Sequence, residues 1–228
     1  MCKYRKEKER WGEFVDVKIN IPEALEEQVK HSKPGMVMVS SVTDPYQLLE
    51  KKYKITRRCL EILVKNNFKV GLLTKSSLIT RDIDIIKKFG PSVCPGFTIS
   101  CFDENDAKNF EPGASPVKSR LISLKKFKDA GISTSVFIGP FIPKISEKNI
   151  EKFLKYFKDV GVKIIFFDRL NIKSGNWPEI KKVLESCYPN LAKDYYKRWL
   201  TDEYYKKIKI KIIKICKKYK LPLRVLFR

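Results

Sequence analysis

The chain has 228 residues, of which 43% are hydrophobic and 12% aromatic, enough apolar material for a packed core and against wholesale disorder. No apolar run is long enough to span a bilayer, and the N-terminal stretch MCKYRKEKERWGEF has no apolar h-region, so neither a membrane span nor a secretory signal is expected. With 48 Lys and Arg against 26 Asp and Glu, the net charge is +22, which points to a polyanion as partner or substrate.

In chain order, short β-branched runs alternate with helix-period segments. The runs are 36–41 (MVMVSS), 69–74 (KVGLLT), 96–100 (GFTIS), 133–139 (STSVFIG) and 162–167 (VKIIFF), with starts 33, 27, 37 and 29 residues apart. Helices are expected over 46–66, 80–89, 115–130 and 146–160. A strand with its crossover helix needs about 30 residues, so the spacing predicts repeated βα units. The runs are almost wholly apolar, as strands covered on both faces should be. Gly131 and Gly161 fall just past helix ends, and Ser146 is expected to open the 146–160 helix. The pattern allows an open doubly wound sheet or a (β/α) barrel. Neither GxGxxG nor GxxxxGK[ST] follows any strand.

Polar residues gather at the C-terminal ends of these runs: Ser40, Ser41, Thr43 and Asp44; Thr74 and Lys75; Ser100 and Asp103; Asp168, Arg169 and Asn171. Such residues often only cap turns. Their recurrence after four of the five runs points to a site at one edge of the sheet. Residues 172–228 are rich in Lys and Tyr and predict two or three cationic helices followed by a strand-like LRVLF. They read either as a nucleic-acid surface, with lysines on phosphates and bases stacked on tyrosines, or as a solvated amphipathic face.

The single histidine, His31, excludes two-histidine zinc chemistry and reads as a cation near a helix C-terminus. Six cysteines form no CxxC, and disulfides are not expected in the reducing, cytoplasmic setting that this usage suggests. Cys59 and Cys216 read as buried helix thiols, and Cys94 and Cys101 flank a strand.

The segments SSVTDPYQLLEKKYKITRRCLEIL, LLTKSSLITRDIDII, FTISCFDENDAKNFEPGASPVKSRL and VFIGPFIP, in this order, resemble the spore photoproduct lyase-like branch of the radical S-adenosylmethionine (radical SAM) superfamily. The resemblance implies a partial (β/α) barrel lacking the first strand, with core 1–171 and a basic helical C-terminal extension, 172–228, packed on it. It implies S-adenosylmethionine and a [4Fe–4S] cluster as cofactors, with an electron donor and reductive cleavage of S-adenosylmethionine. Carried over residue by residue, Thr43 touches the amino-acid moiety of that cofactor and Lys75 meets its carboxylate. Thr98 and Ser100 lie near the same group, and Arg120 pairs with Glu111 to hold the FEPG loop. Ser41 stands where spore photoproduct lyases carry a hydrogen-donating cysteine, so DNA dimer repair by that route is not expected.

The chain departs from the family at its cluster motif. No CxxxCxxC is present. Cys2 is the sole candidate remnant, and Arg5 stands where a further cysteine belongs. One thiolate does not replace three, so this chain is not expected to hold the cluster. The expectation is of a truncated, misstarted or degenerate member, monomeric and off the membrane. Two further readings stay open: a non-catalytic nucleic-acid-binding protein on a decayed barrel, and a gene fragment with no independent role. The substrate is not legible.

Overall fold

The computed structural model describes residues 14–40, 42–172 and 176–227. Ser41 and Cys2, two positions singled out from the sequence, lie outside the described residues.

Six strands form one sheet: β1 (Met36–Val39), β2 (Lys69–Thr74), β3 (Val93–Thr98), β4 (Ser135–Phe141), β5 (Ile164–Arg169) and β6 (Leu223–Val225). They lie in sequence order, and every neighbouring pair is parallel. A sequential order has no reversal point, which distinguishes it from the doubly wound alternative. The result is a mixed α/β partial (β/α) barrel. The LRVLF strand closes the described sheet as β6, beside β5.

The helices are α1 (Ile21–Lys30), α2 (Glu50–Tyr53), α3 (Ile55–Lys65), α4 (Ile83–Phe89), α5 (Glu104–Phe110), α6 (Val117–Asp129), α7 (Ile150–Asp159), α8 (Trp177–Cys187), α9 (Pro189–Ala192), α10 (Tyr195–Trp199) and α11 (Asp202–Lys218). None is long and apolar enough to cross a membrane. Val70, Leu72, Phe97, Val136, Ile138, Ile165 and Phe167 share one face of the sheet by register and are all buried. Phe127 of α6 meets Phe97 edge to face at 5.9 Å. The opposite face carries Gly71, Gly96 and Ser135, with Met38 reaching over Gly71 and the Phe137 ring lying against Gly139.

Several expected boundaries shift, each for a local reason. Strand β3 begins at Val93, three residues earlier than the GFTIS run suggested. Pro95, which has no N–H to donate, lies within this strand. The β4 ladder starts only at Gly96, so that N–H is not needed. The expected 46–66 helix is instead two, broken at Lys54, which adopts φ +53°. The Glu50 carboxylate, turned back over α3, accepts from the amides of Thr56 (3.0 Å) and Arg57 (3.4 Å) and satisfies its free N-terminal donors. Ser146 does not open α7, which starts at Ile150; the Ser146 hydroxyl accepts from the Ile142 amide at 2.8 Å, tying the preceding turn. Gly131 and Gly161 take φ +77° and +71° just past α6 and α7, as their positions required. His31 stands at the C-terminal cap of α1.

Candidate functional site

The C-terminal edge of β1–β3 is assembled around Asp44. Its carboxylate accepts from the Thr74 hydroxyl, from the Lys75 amide at 2.7 Å and from the Tyr46 amide at 2.8 Å. One carboxylate thus pins the loop after β1 to the end of β2. Beneath it lies a second knot. Asp82, fully buried, accepts from Tyr46 Oη (3.1 Å), Arg57 Nη1 (2.9 Å) and both Nε and Nη2 of Arg81 (2.8 Å each). Arg81 Nη2 also reaches Glu50 at 2.8 Å. The TDPYQ and TRDID stretches are therefore the two halves of one buried polar network.

Lys75 leaves this scaffold with its ammonium 3.3 Å from Glu111 Oε1. Glu111 Oε2 receives Arg120 Nη1 at 2.8 Å, and the same guanidinium nitrogen donates to the Thr98 carbonyl at 2.8 Å. Glu111 and Arg120 are buried, whereas the Lys75 side chain is 36% exposed. Among the described residues, two atoms of this trio have no hydrogen-bond partner: Arg120 Nε and Glu111 Oε1. The Lys75–Glu111 contact is close enough for an ion pair yet not aligned as a hydrogen bond, which accounts for Oε1 on both counts. Two cations face one carboxylate, so the trio holds surplus positive charge. It encloses a buried N–H donor without an acceptor and a buried carboxylate oxygen met only by the half-exposed Lys75 ammonium.

The other residues singled out from the sequence sit as follows. Thr98 contributes its carbonyl to Arg120. Ser100 is buried and donates to the Gly139 carbonyl at 2.9 Å, bridging β3 and β4. Thr43 pairs through its hydroxyl with Ser40, 3.0 Å away. It lines a groove of about 860 Å³ beside β1, with Ser40, Asp44, Gln47, Tyr53 and Val15. Lys75, Thr98, Ser100 and Arg120 do not line that groove. Asp103 caps α5, accepting from Asn105 (2.9 Å) and Asp106 (3.1 Å). Arg169 pairs with Asp202 at 2.6 Å.

Sequence reasoning missed a second polar cluster at α5. Buried Asp106 receives Lys148 Nζ at 2.9 Å and Tyr188 Oη at 2.7 Å, and Asn109 donates to that same phenol oxygen at 3.1 Å. Its partners are 42 and 82 residues away, so no local pattern announces it.

The donor set for an iron–sulfur cluster is a different matter. Among the described residues no three His, Cys, Asp or Glu side chains gather as a metal-holding group. Cys59 and Cys216 are buried in α3 and α11, and burial pushes each thiol up to about 11. Cys101 is raised as well, by burial and by the charges of Glu111 and Asp106. Protonated, dispersed thiols are not cluster ligands. The described residues do not fit a 4Fe–4S cluster.

No family model matches the chain. It is 36% identical over 211 residues to the uncharacterized protein MJ0683 of Methanocaldococcus jannaschii, covering 90% of this chain and 77% of that protein. A radical SAM Nalpha-GlyT isomerase of Pseudomonas phage M6 is 24% identical over 133 residues, covering 58% of this chain and 28% of the isomerase. Among solved structures, a mutant spore photoproduct lyase with bound AdoMet and dinucleoside spore photoproduct superposes with a TM-score of 0.65. That match has 17% identity and covers 93% of this chain and 67% of the lyase. The chain therefore belongs to the family of MJ0683 and shares the fold of spore photoproduct lyase.

Proposed function

We propose that this protein binds S-adenosylmethionine at the C-terminal edge of β2 and β3, through the Lys75–Glu111–Arg120 trio. The observation that carries the reading is the pair of orphaned atoms. A buried polar group without a partner costs free energy, about 1–3 kcal/mol. Arg120 Nε lacks an acceptor, and Glu111 Oε1 has only the ion-pair contact of the Lys75 ammonium, out of hydrogen-bond alignment. An α-amino-acid end, with carboxylate and ammonium on one carbon, supplies both an acceptor and an aligned donor. The surplus positive charge of the trio favours the carboxylate, and Lys75 is exposed enough to reach it. S-adenosylmethionine carries such an end, and the fold is one in which relatives bind it.

When bound, S-adenosylmethionine supplies a sulfonium whose carbon–sulfur bond is open to one-electron reductive cleavage. The chain's own part is to hold the amino-acid end. Asp44 fixes the Lys75 backbone, Glu111 holds the ammonium, and Arg120 anchors Glu111 to the carbonyl of Thr98. The described cysteines do not fit a cluster.

Isothermal titration with S-adenosylmethionine, without iron, tests the reading. The unmodified chain should bind. Lys75→Ala should weaken binding at least about tenfold, equivalent to 1.4 kcal/mol. A deaminated analogue should bind more weakly than the parent because Glu111 Oε1 stays unsatisfied. No binding by the unmodified chain, or equal binding by Lys75→Ala, would overturn the proposal.

A further inference from the structure

Helix α11 is two-sided. Tyr205, Ile208, Ile212, Ile215 and Cys216 are buried. Lys206, Lys207, Lys211, Lys214, Lys217 and Lys218 are exposed, and at about 100° per residue they fall within an arc of about 140° on the opposite side. The stripe is about 18 Å long at about 1.5 Å per residue. Helix α7 adjoins it: Lys218 Nζ and Tyr219 Oη reach Glu151 of α7 at 2.7 and 3.1 Å. Lys152 and Lys155, exposed on α7, continue the charge.

The acids on this face are already used. Glu151 is held by Lys218, and Glu203 by Lys207 at 2.7 Å. Among the described residues no ion pair engages Lys152, Lys155, Lys206, Lys211, Lys214 or Lys217. Like charges spaced three or four residues apart on a helix repel by about 0.2–0.5 kcal/mol per pair. Packing needs only the buried side, so the stripe is an electrostatic cost to the free fold that a polyanion would relieve.

We infer that the exposed face of α11, continued by α7, docks the phosphodiester backbone of a nucleic-acid duplex. This inference is independent of S-adenosylmethionine binding. A duplex fits better than a single strand because single strands are held largely by base stacking on aromatic rings. The aromatic residues of α11 are occupied elsewhere. Tyr205 is buried, with its hydroxyl on the Phe141 carbonyl and the Leu170 amide, and Tyr204 donates to Glu147 at 2.8 Å. Tyr219, just past the helix, holds Glu151. A duplex also fits better than an anionic membrane. A membrane-surface helix inserts its apolar side, and here that side is buried in the protein.

The test uses a fluorescent mixed-sequence 20-base-pair DNA duplex, with an RNA duplex in parallel, titrated across a salt series. Binding to either duplex should weaken steeply with salt. Replacing Lys206, Lys211, Lys214 and Lys217 together by Gln should flatten the log–log salt slope by about 3–4, near 0.9 per lost phosphate contact. Replacement of the same four by Arg should keep it. On the unmodified chain, lysine acetylation read by mass spectrometry should show Lys211 and Lys214 protected by the duplex, whatever the stability of the Gln variant. No binding to either duplex at low salt, an unchanged slope in the Gln variant, or unprotected α11 lysines would overturn the inference. So would phosphatidylserine vesicles displacing the duplex from α11 while binding more tightly.

Discussion

Asp82 is the residue on which the scaffold of the site turns. It is fully buried and collects hydrogen bonds from a tyrosine and two arginines contributed by three separate stretches of chain. Its removal is not symmetric with the loss of one donor. Asp82→Asn removes the charge from the hydrogen bonds of both Arg81 and Arg57, which keep Glu50 and Asp84 respectively, at about 1.5–3 kcal/mol for each charge-assisted bond weakened. Tyr46→Phe deletes one hydrogen bond to a charged acceptor, about 1.5–3 kcal/mol, and keeps the ring in the core. Urea unfolding of the two variants should therefore rank Asp82→Asn well below Tyr46→Phe with unchanged m-values. If the asparagine variant lost less than the phenylalanine one, the network would not be centred on Asp82. Neither position shows its role in the local sequence, because the partners are 36 and 25 residues apart.

At the scale of elements, the same device recurs: a carboxylate from one element caps a helix whose own leading residue makes no side-chain cap. Glu50 does this for α3, and Glu104 for α6, where it accepts from Val117 (2.9 Å) and Lys118 (2.6 Å) while Pro116 occupies the cap position. The βα alternation was legible because apolar runs and helix periods are local signals. The glycines after α6 and α7 were legible because left-handed backbone selects glycine. The Glu111–Arg120 pair is a contact across nine residues, and the family pattern pointed to it. The break at Lys54, the start of α7 at Ile150 and helix α5 were not legible, since remote carboxylates and hydroxyls decide them or, for α5, a short polar stretch conceals the period. Helix α6 carries Arg120 one turn inside its start, so its cap bears on the site. Glu104→Ala should lower stability by about 0.5–2 kcal/mol, the range for a lost N-terminal cap. Hydrogen exchange at the Val117 and Lys118 amides should rise in that variant before the rest of α6 is affected. Unaltered exchange at those two amides would show that the Glu104 cap contributes nothing in solution.

At the scale of the whole molecule, the fold and the placement of the described thiols point in different directions. The barrel and its strand order match the spore photoproduct lyase fold, while among the described residues the thiols do not assemble. Cys59 and Cys216 are held in separate helices by packing, and each is protonated at neutral pH because burial disfavours the thiolate. Cys101 is buried at the end of β3 beside two carboxylates, which disfavour it further. Cys94 and Cys187 are exposed on β3 and α8. Any three of these five include at least one thiol held in the packed interior. Cys2 lies outside the described residues and contributes at most one thiolate where a site-differentiated cluster needs three. Anaerobic reconstitution of this polypeptide with iron and sulfide should therefore give no desalting-stable absorption at about 400 nm, where thiolate-to-iron charge transfer falls. Production of 5′-deoxyadenosine with dithionite should likewise be absent, while S-adenosylmethionine binding persists. A retained absorption band together with 5′-deoxyadenosine would show that three thiols do converge and would overturn the separation of fold from cluster. Loss of S-adenosylmethionine binding alone would instead count against the Lys75–Glu111–Arg120 site and leave the argument about the thiols standing.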